Sequence, residues 1–392
     1  MKFEFYTAAR IVYGRGELDR IGEIVASLGR KAMVIEGSRF LRRSGIIDRL
    51  AASLDAHKIA RTYFLVTGEP QVADVDAALQ EARDAGCDVV IGIGGGSAID
   101  TAKAVAGLLT NGGSALDYME VIGAGRQLTR PAAPIIAVPT TAGTGAEVTR
   151  NAVIGYKEKA FKASMRSPYL IPRVALVDPS LTHTMPPEVT ASTGLDALTQ
   201  LIEPYTSNRA QPITDALALR GIRLVARSLR QAYEHGDDEA ARDDMSLAAL
   251  LGGICLANAG LGAVHGFASP IGASFPIPHG VVCAALLPHV MAANVQALRA
   301  QDPAHPALAR YADVGEALLG RRLSTEAATI DAGIVFVEEL VEALHIPRLS
   351  EFGMTEEHIP DLVERAKQAS SMRYNPIPLS DEALSEILRR AL

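Results

Sequence analysis

Short apolar runs alternate with amphipathic segments through the first half of the chain. Runs rich in Val, Ile and Ala predict buried strands, and apolar positions spaced three or four residues apart predict helices between them. The predicted strands cover residues 31–36, 59–66, 88–93, 135–138 and 174–177, and the predicted helices cover residues 45–57, 75–85 and 98–109. This alternation predicts an α/β domain with a parallel or mixed sheet and helices on both faces.

After residue 184 the apolar positions take the period of a helix. Two prolines, Pro186 and Pro187, mark this boundary, and the helical period runs from Val189 onward. Apolar side chains then recur on one helical face in segments that cover residues 212–233, 243–258, 325–344 and 381–392. We therefore predict an α/β domain over residues 1–184 and an all-helical, all-α domain over residues 185–392.

One long stretch of the second half carries no charge. Between Met245 and Leu298 there is no Asp, Glu, Lys or Arg. About 20 apolar residues are enough to span a bilayer, but prolines, histidines and asparagines interrupt this stretch. We interpret it as the buried interior of a globular domain, which leaves open why that interior contains His265 and His279.

Composition narrows the class of protein. The chain has 392 residues, 48% of them hydrophobic, and a formal net charge of −7. This is a globular composition without the basic surface that nucleic acid requires. Because the N-terminal sequence lacks the apolar core of a signal peptide, we expect a cytoplasmic protein. Cys87, Cys255 and Cys283 are too few and too scattered for a disulfide framework, so we expect buried free thiols.

Two polar loops follow predicted strands. Glycines let a backbone approach a ligand closely, and the first amides of a helix attract an anion such as pyrophosphate. The candidate residues are Gly95, Gly96, Ser97 and Asp100 in and after the first loop and Thr140, Thr141 and Thr144 in the second. A plain tight turn and helix-capping threonines are the alternatives, but ligands bind beyond the carboxyl ends of parallel strands, where both loops are expected.

Four residues of the second half have the chemistry of a metal site. Asp196 and Gln200 are four positions apart at the start of a predicted helix and share one face. His265 and His279 lie in the uncharged stretch. Carboxylate, imidazole and amide groups together suit a divalent cation. The alternative is that each histidine is a hydrogen-bonded residue of the core.

Taken together, these motifs resemble those of the iron-containing (group III) alcohol dehydrogenase family. The residues that carry the resemblance occur in the order and spacing of that family, and they cover residues 10–16, 94–103, 140–149, 177–186, 194–203, 264–265 and 278–280. The resemblance implies a dehydroquinate-synthase-like fold, with a dinucleotide-binding domain over residues 1–184 and a metal and substrate domain over residues 185–392. It implies reversible hydride transfer between a small alcohol or aldehyde and NAD or NADP.

The resemblance also implies one divalent metal, Fe²⁺ or Zn²⁺, held by an aspartate and three histidines. Asp196, His265 and His279 match three of these ligands, and the fourth histidine is replaced by Gln200. We expect the metal to be retained, although an amide oxygen in place of an imidazole weakens the preference for Fe²⁺ or Zn²⁺. Ser269 stands where many members have a further histidine that relays a proton.

Further cofactor-binding residues follow from the resemblance. Asn151 and Lys162 are implied to lie near the nicotinamide ribose or the substrate, and Lys162 is the candidate for a catalytic role. Gly37 and Ser38 follow the first predicted strand, where an acidic residue would select NAD, so a slight preference for NADP is expected. Glu69 is implied to contact the adenosine ribose.

Two other enzymatic functions are compatible with this fold. A metal-independent, maleylacetate-reductase-like enzyme acting on a carboxylate substrate would explain Gln200, although Asp196 argues against it. A dehydroquinate-synthase-like lyase needs basic residues around a phosphate, which the uncharged stretch does not supply. A non-enzymatic nucleotide-binding relative is the third alternative. We expect a small-molecule alcohol or aldehyde substrate, no nucleic acid or membrane partner, and a homodimer.

Overall fold

The computed structural model describes residues 2–159 and 161–392. Within them the strands are β1 (Arg10–Tyr13), β2 (Lys31–Glu36), β3 (Ala60–Leu65), β4 (Val89–Gly94), β5 (Ile135–Pro139), β6 (Asn151–Tyr156), β7 (Phe161–Arg166) and β8 (Val174–Val177). The helices are α1 (Ile21–Ala26), α2 (Phe40–Arg43), α3 (Ile46–Ala56), α4 (Val72–Asp84), α5 (Gly96–Asn111), α6 (Ala115–Tyr118), α7 (Pro187–Thr206), α8 (Pro212–Glu234), α9 (Glu239–Ala259), α10 (Ala263–Ser274), α11 (His279–Gln301), α12 (Pro306–Leu319), α13 (Glu326–Ala343), α14 (Ile359–Lys367) and α15 (Asp381–Ala391).

Six strands form one parallel sheet in the order β1-β8-β5-β4-β2-β3. The register places Glu36 of β2 opposite Ile93 of β4, and Gly94 of β4 opposite Pro139 of β5. The carboxyl ends of these three central strands therefore lie side by side at one edge. The strands β6 and β7 form a separate antiparallel pair.

The predicted fold class is confirmed: a parallel sheet with helices precedes a helical region. Each of the five predicted strands is present, and β2 and β8 have the predicted bounds. The pair β6 and β7 and the short strand β1 were not predicted. The strand β1 adds an edge to the parallel sheet, and β6 and β7 form the separate pair. All three lie before the helical region, as the predicted fold class requires.

The chain divides into two compact units. The sheet unit comprises Tyr6–Thr141 and Gly145–His183. The helical unit comprises Thr184–Leu392, together with Ala142–Thr144 and the segment that ends at Phe5. In the helical unit, one apolar core connects α7 to the helices that follow it, and Leu195, Phe267 and Val282 are among its fully buried members.

The uncharged stretch forms the end of α9, all of α10 and most of α11. By length and composition α11 is apolar enough to cross a membrane, and α9 with α10 would qualify if that pair, bent by 100°, were one span. However, 72% of the apolar window of α11 is buried inside the protein. Packing in the core therefore accounts for its apolar sequence.

Candidate active site

The helix α7 presents three polar side chains to the interior of the helical unit. Asp196, Gln200 and Glu203 are at positions i, i+4 and i+7, which share one helical face. All three are buried, and Asp196 is only 1% exposed. The Gln200 amide Nε2 donates a hydrogen bond to Oδ2 of Asp196 at 3.2 Å. This bond fixes the carboxylate and turns its other oxygen, Oδ1, away from Gln200 Nε2.

The two predicted histidine ligands converge on that oxygen. His265 lies in the first turn of α10, and His279 is the first residue of α11, directly after the N-cap Pro278. From Asp196 Oδ1 it is 3.4 Å to His265 Nε2 and 3.8 Å to His279 Nε2. The consecutive helices α10 and α11 thus meet α7, which is distant in sequence, and bring His265 and His279 to Asp196.

Close packing of α11 against α7 places His279. A Cβ on Gly280 would lie 2.6 Å from the backbone oxygen of Ser192, so only glycine permits this approach. The His279 side chain remains 40% exposed, whereas that of His265 is 7% exposed. The cluster is therefore open on the His279 side, and a catalytic metal site needs such an open position.

The structure adds Cys283 to this cluster, which sequence reasoning missed. Its thiol is free and buried as expected, but it lies one turn after His279 on α11. The sulfur is 3.6 Å from His279 Nε2 and 3.8 Å from His265 Nε2. One ligand atom from each of Asp196, His265, His279 and Cys283 lies within 4.8 Å of the others.

The donor set fits a divalent cation. Among the described residues, neither Asp196 Oδ1 nor Gln200 Oε1 has a hydrogen-bond partner, although both atoms are buried. An orphaned carboxylate oxygen such as Asp196 Oδ1 is costly unless a cation compensates it. Burial alone would lower the pKa of His265, but Cys283 and the neighbouring carboxylates raise it well above its usual value. The Cys283 sulfur raises the pKa of His279 to about 9. The cluster therefore favours positive charge.

Glu203 holds His265 in place, and sequence reasoning missed this role too. Its Oε2 accepts a hydrogen bond from His265 Nδ1 at 2.7 Å, and its Oε1 accepts one from the backbone N–H of Val264 at 2.7 Å. A bound metal would displace the proton from Nε2, and the proton that remains on Nδ1 would keep the bond to Glu203. A carboxylate behind a ligating histidine is the usual device for orienting the ring and raising its basicity.

The glycine-rich loop lies at the carboxyl end of β4. Gly94 has φ of +148°, and a Cβ there would lie 2.9 Å from the Cα of Gly37, which follows β2. The helix α5 begins at Gly96, its N-cap Gly95 makes no side-chain capping bond, and its first turn contains no acidic residue. Backbone amides at this helix start, including that of Ser97, suit a phosphate.

The threonine-rich loop lies beside it. The Thr140 backbone N–H donates to Gly94 O at 2.9 Å, and the Thr141 side chain lies 3.5 Å from the position of a Cβ on Gly95. These contacts bring the two predicted loops together at one edge of the sheet. Thr144 belongs to the helical unit instead.

The buried carboxyl of Glu147, at the end of this loop, should make the free energy of unfolding depend on pH. Burial raises its pKa from 4.5 to about 7. A raised folded pKa means that stability is full below pH 4.5 and falls as the pH rises to about 7. We expect Glu147→Gln to stabilise the protein by about 2–3 kcal/mol at pH 8 and little at pH 4.5. Melting temperatures of both proteins across this range measure it.

The exposed Glu81 on α4 provides the matched control, because Glu81→Gln changes the same charge without burial. The control should leave the melting temperature unchanged within about 1 °C at every pH. A Glu147→Gln effect that is the same at pH 4.5 and pH 8 would contradict the explanation by burial.

Several predicted cofactor-binding residues make bonds inside the sheet unit. Asp100 Oδ2 accepts from the backbone N–H of Val153 at 2.9 Å, and Asp100 Oδ1 lies 3.2 Å from the Lys103 ammonium. Lys103 also donates to the backbone oxygen of Asn151 at 2.8 Å. These bonds tie α5 to β6, so a contact of Asp100 with the cofactor stays a prediction.

Lys162 and Glu69 are partners of each other. The Lys162 ammonium lies 3.3 Å from Glu69 Oε1, which joins β7 to the loop after β3. The sequence-based interpretation gave these two residues separate roles at the nicotinamide and adenosine ends of the cofactor. Their ion pair brings the two positions together, and both roles stay predictions.

The end of β2 offers no free carboxylate to the cofactor. Glu36 is fully buried, and the Arg42 guanidinium donates two hydrogen bonds to it, at 2.6 and 2.8 Å. The Ser38 hydroxyl accepts from the backbone N–H of Phe40. A Cβ on Gly37 would lie 3.2 Å from the Gly94 Cα, so close strand packing explains the glycine.

Family models match both regions of the chain. A model described as iron-containing alcohol dehydrogenase matches residues 8–179. A second model, described as the C-terminal part of the Fe-containing alcohol dehydrogenase family, matches residues 190–392. The first match covers the strands and the glycine-rich loop, and the second covers the residues around Asp196.

The similarity to known proteins covers almost the whole chain. Alcohol dehydrogenase 4 of Saccharomyces cerevisiae is 36% identical over 396 residues, which cover 99% of this chain and 98% of that protein. The NAD-dependent methanol dehydrogenase of Bacillus methanolicus is 32% identical and covers 99% of each chain. A crystal structure of 1,3-propanediol oxidoreductase has a TM-score of 0.93 and 33% identity, covering 100% of each chain. The chain therefore belongs to the iron-containing alcohol dehydrogenase family of oxidoreductases.

Proposed function

We propose that this chain catalyses metal-dependent hydride transfer between a small alcohol or aldehyde and a nicotinamide dinucleotide. In this proposal residues 185–392 hold the metal and the substrate, and residues 1–184 bind the dinucleotide. The observation that carries it is the buried Asp196 Oδ1, which has no hydrogen-bond partner in the described parts of the chain and faces the Nε2 atoms of His265 and His279. Two imidazoles and a carboxylate in this arrangement suit one divalent cation, Fe²⁺ or Zn²⁺.

When bound, the cation would polarise the substrate carbonyl and the nicotinamide would supply or accept the hydride. The residues of the chain do the positioning. Asp196 supplies negative charge, and Gln200 fixes its orientation through the bond to Oδ2. Ser269, one turn after His265 on α10, is exposed and has no basic nitrogen. Since a hydroxyl is a poor base near neutral pH, proton exchange falls to water or to a ribose hydroxyl.

For the cofactor we propose that the start of α5 binds the pyrophosphate and that NAD and NADP are both accepted. An acidic residue after the first strand normally bonds the ribose 2′-OH and repels a 2′-phosphate. Here Glu36 is engaged by Arg42, and the positions that follow are Gly37 and Ser38. Nothing in this segment would therefore exclude the 2′-phosphate, and Ser38 provides a hydroxyl beside it.

The substrate we propose is a small primary alcohol or its aldehyde. The names of the relatives point to different alcohols, methanol in one case and 1,3-propanediol in another, so they support the class of substrate only. We further propose a cytoplasmic homodimer without nucleic acid or membrane partners. The acidic net charge of −7 argues against a nucleic acid partner, and the burial of α11 argues against a membrane span.

An aldehyde panel with NADH and NADPH tests the proposal. We expect turnover by metal-loaded enzyme and a loss of at least about 100-fold after removal of the metal, since a cation provides several kcal/mol of transition-state stabilisation. Re-addition of Fe²⁺ or Zn²⁺ should restore the rate. Full activity without metal on a carboxylate substrate would instead support the maleylacetate-reductase-like alternative. Cofactor binding without turnover of any aldehyde would contradict an enzymatic function.

A further inference from the structure

We propose that the Cys283 thiolate is the fourth protein ligand of the metal, the position that the family resemblance assigns to a histidine where this chain has Gln200. The inference rests on the proposed function, because it assumes that Asp196, His265 and His279 hold a cation. It changes the chemistry of the site from nitrogen and oxygen donors to a set that includes sulfur.

The distances between the donor atoms support a four-coordinate site. Zinc is bound at about 2.0–2.1 Å by nitrogen or oxygen and at about 2.3 Å by sulfur, so neighbouring ligand atoms of a regular tetrahedron are about 3.3–3.6 Å apart. The Cys283 sulfur is 3.6 Å from His279 Nε2 and 3.8 Å from His265 Nε2. Asp196 Oδ1 is 3.4 and 3.8 Å from the same two nitrogens. All four atoms lie within 4.8 Å of one another, so they can hold one ion, and the exposed His279 side leaves room for the substrate as a fifth ligand.

The position of Cys283 in the fold also distinguishes it from the other thiols. Residues four apart on a helix face the same way, and Cys283 follows His279 by four positions on α11. Cys283 is fully buried, and its sulfur lies against two imidazole nitrogens. By contrast, the Cys255 thiol donates to the backbone oxygen of Thr214, and Cys87 is half-buried in the sheet unit.

Gln200 has a different role in this arrangement. Its Nε2 is hydrogen-bonded to Asp196 Oδ2, so it acts as a positioning residue that leaves Asp196 Oδ1 for the metal. A thiolate also changes the charge: the cation with one carboxylate and one thiolate is formally neutral, whereas the cation with one carboxylate alone keeps a charge of +1. Because sulfur is a softer donor than an amide oxygen, we expect the site to retain Zn²⁺ more strongly than Fe²⁺.

Spectroscopy of the cobalt-loaded protein tests the inference without an activity assay. A sulfur ligand gives Co²⁺ an intense charge-transfer band in the near ultraviolet, and X-ray absorption of the zinc form should reveal one sulfur at about 2.3 Å. We expect both signals in the wild type. The band should disappear in Cys283→Ser and persist in Cys255→Ser, the matched control for a buried thiol. Gln200→Ala should keep the band while its metal Kd rises.

The outcomes separate this inference from the proposed function. Stoichiometric metal without a sulfur signal in the wild type would overturn the thiolate ligand and leave the metal-dependent reaction intact. Failure of the wild type to bind Co²⁺ or Zn²⁺ would overturn the proposed function itself. The absence of a sulfur signal in the wild type is decisive by itself, so the inference can be overturned even if Cys283→Ser does not fold. A band that persists in a folded Cys283→Ser protein would also contradict the inference.

Discussion

Replacing Asp196 with Asn is expected to abolish metal binding and to lower kcat/KM by about 10³-fold. The substitution keeps the shape of the side chain but removes the carboxylate charge that both histidines face across 3.4 and 3.8 Å. The amide also brings a nitrogen donor to a place that requires an acceptor. Bound metal per protein and the rate with the best aldehyde of the panel measure the effect.

A thermal readout and a control distinguish metal loss from unfolding. A metal at 100 times its Kd stabilises a protein by about 2.7 kcal/mol, so added Zn²⁺ should raise the Tm of the wild type but not of Asp196→Asn. Asp331→Asn removes an exposed carboxylate that pairs with Arg299 in the same unit, and it should bind metal like the wild type. If Asp196→Asn kept a full equivalent of metal and normal kcat/KM, the assignment of this residue would be wrong.

The sheet was predictable where the strands are buried on both faces. The strand β4 has every residue buried, and its continuous apolar run is visible in the sequence. In contrast, β1 has four residues of which only Val12 is buried, so it has no pattern to detect. The pair β6 and β7 is only partly buried and carries Gly155 and Lys162 in its interior. Strands that pack on one side or at an edge leave a weaker signal.

The candidate site was predictable only in part. Spacing on a helix places Asp196 and Gln200 on one face, but no local pattern shows that His265 and His279 approach them. The resemblance to a family supplied that convergence. The scatter of the three cysteines predicts only a buried free thiol at Cys283, although its position four residues after His279 is the signal that places it at the site. Glu203 shares the Asp196 face by the same rule.

The proposed metal site offers a physical reason for the lack of charged residues in the stretch 245–298. A low-dielectric environment strengthens the attraction between a cation and its ligands, and α10 and α11 provide such an environment around His265 and Cys283. Lysine or arginine in these helices would compete with the cation for Asp196. The absence of charge in residues 245–298 therefore suits the proposed metal site as well as the core.

Glu203→Gln is expected to weaken metal binding by about 10–100-fold, the usual effect of losing a carboxylate behind a histidine ligand. The carboxylate accepts two hydrogen bonds, from His265 Nδ1 and from the Val264 backbone N–H. A glutamine has one oxygen and one NH₂ group, so it can satisfy only one of these donors. The variant therefore loses either the hydrogen bond to the His265 ring or the one to the backbone at the start of α10. Titration with Zn²⁺ measures the change in Kd.

A positioning role and general damage to the fold predict different kinetics. If Glu203 acts through His265, saturating Zn²⁺ should restore kcat of Glu203→Gln to within about tenfold of the wild type, because the ligands themselves remain. Gln211→Glu, the reverse exchange at the buried N-cap of α8, controls for a change of charge in the helical unit and should leave the metal Kd unchanged. A Glu203→Gln protein with an unaltered Kd would refute the role of this carboxylate, since neutral and charged partners would then orient His265 equally well.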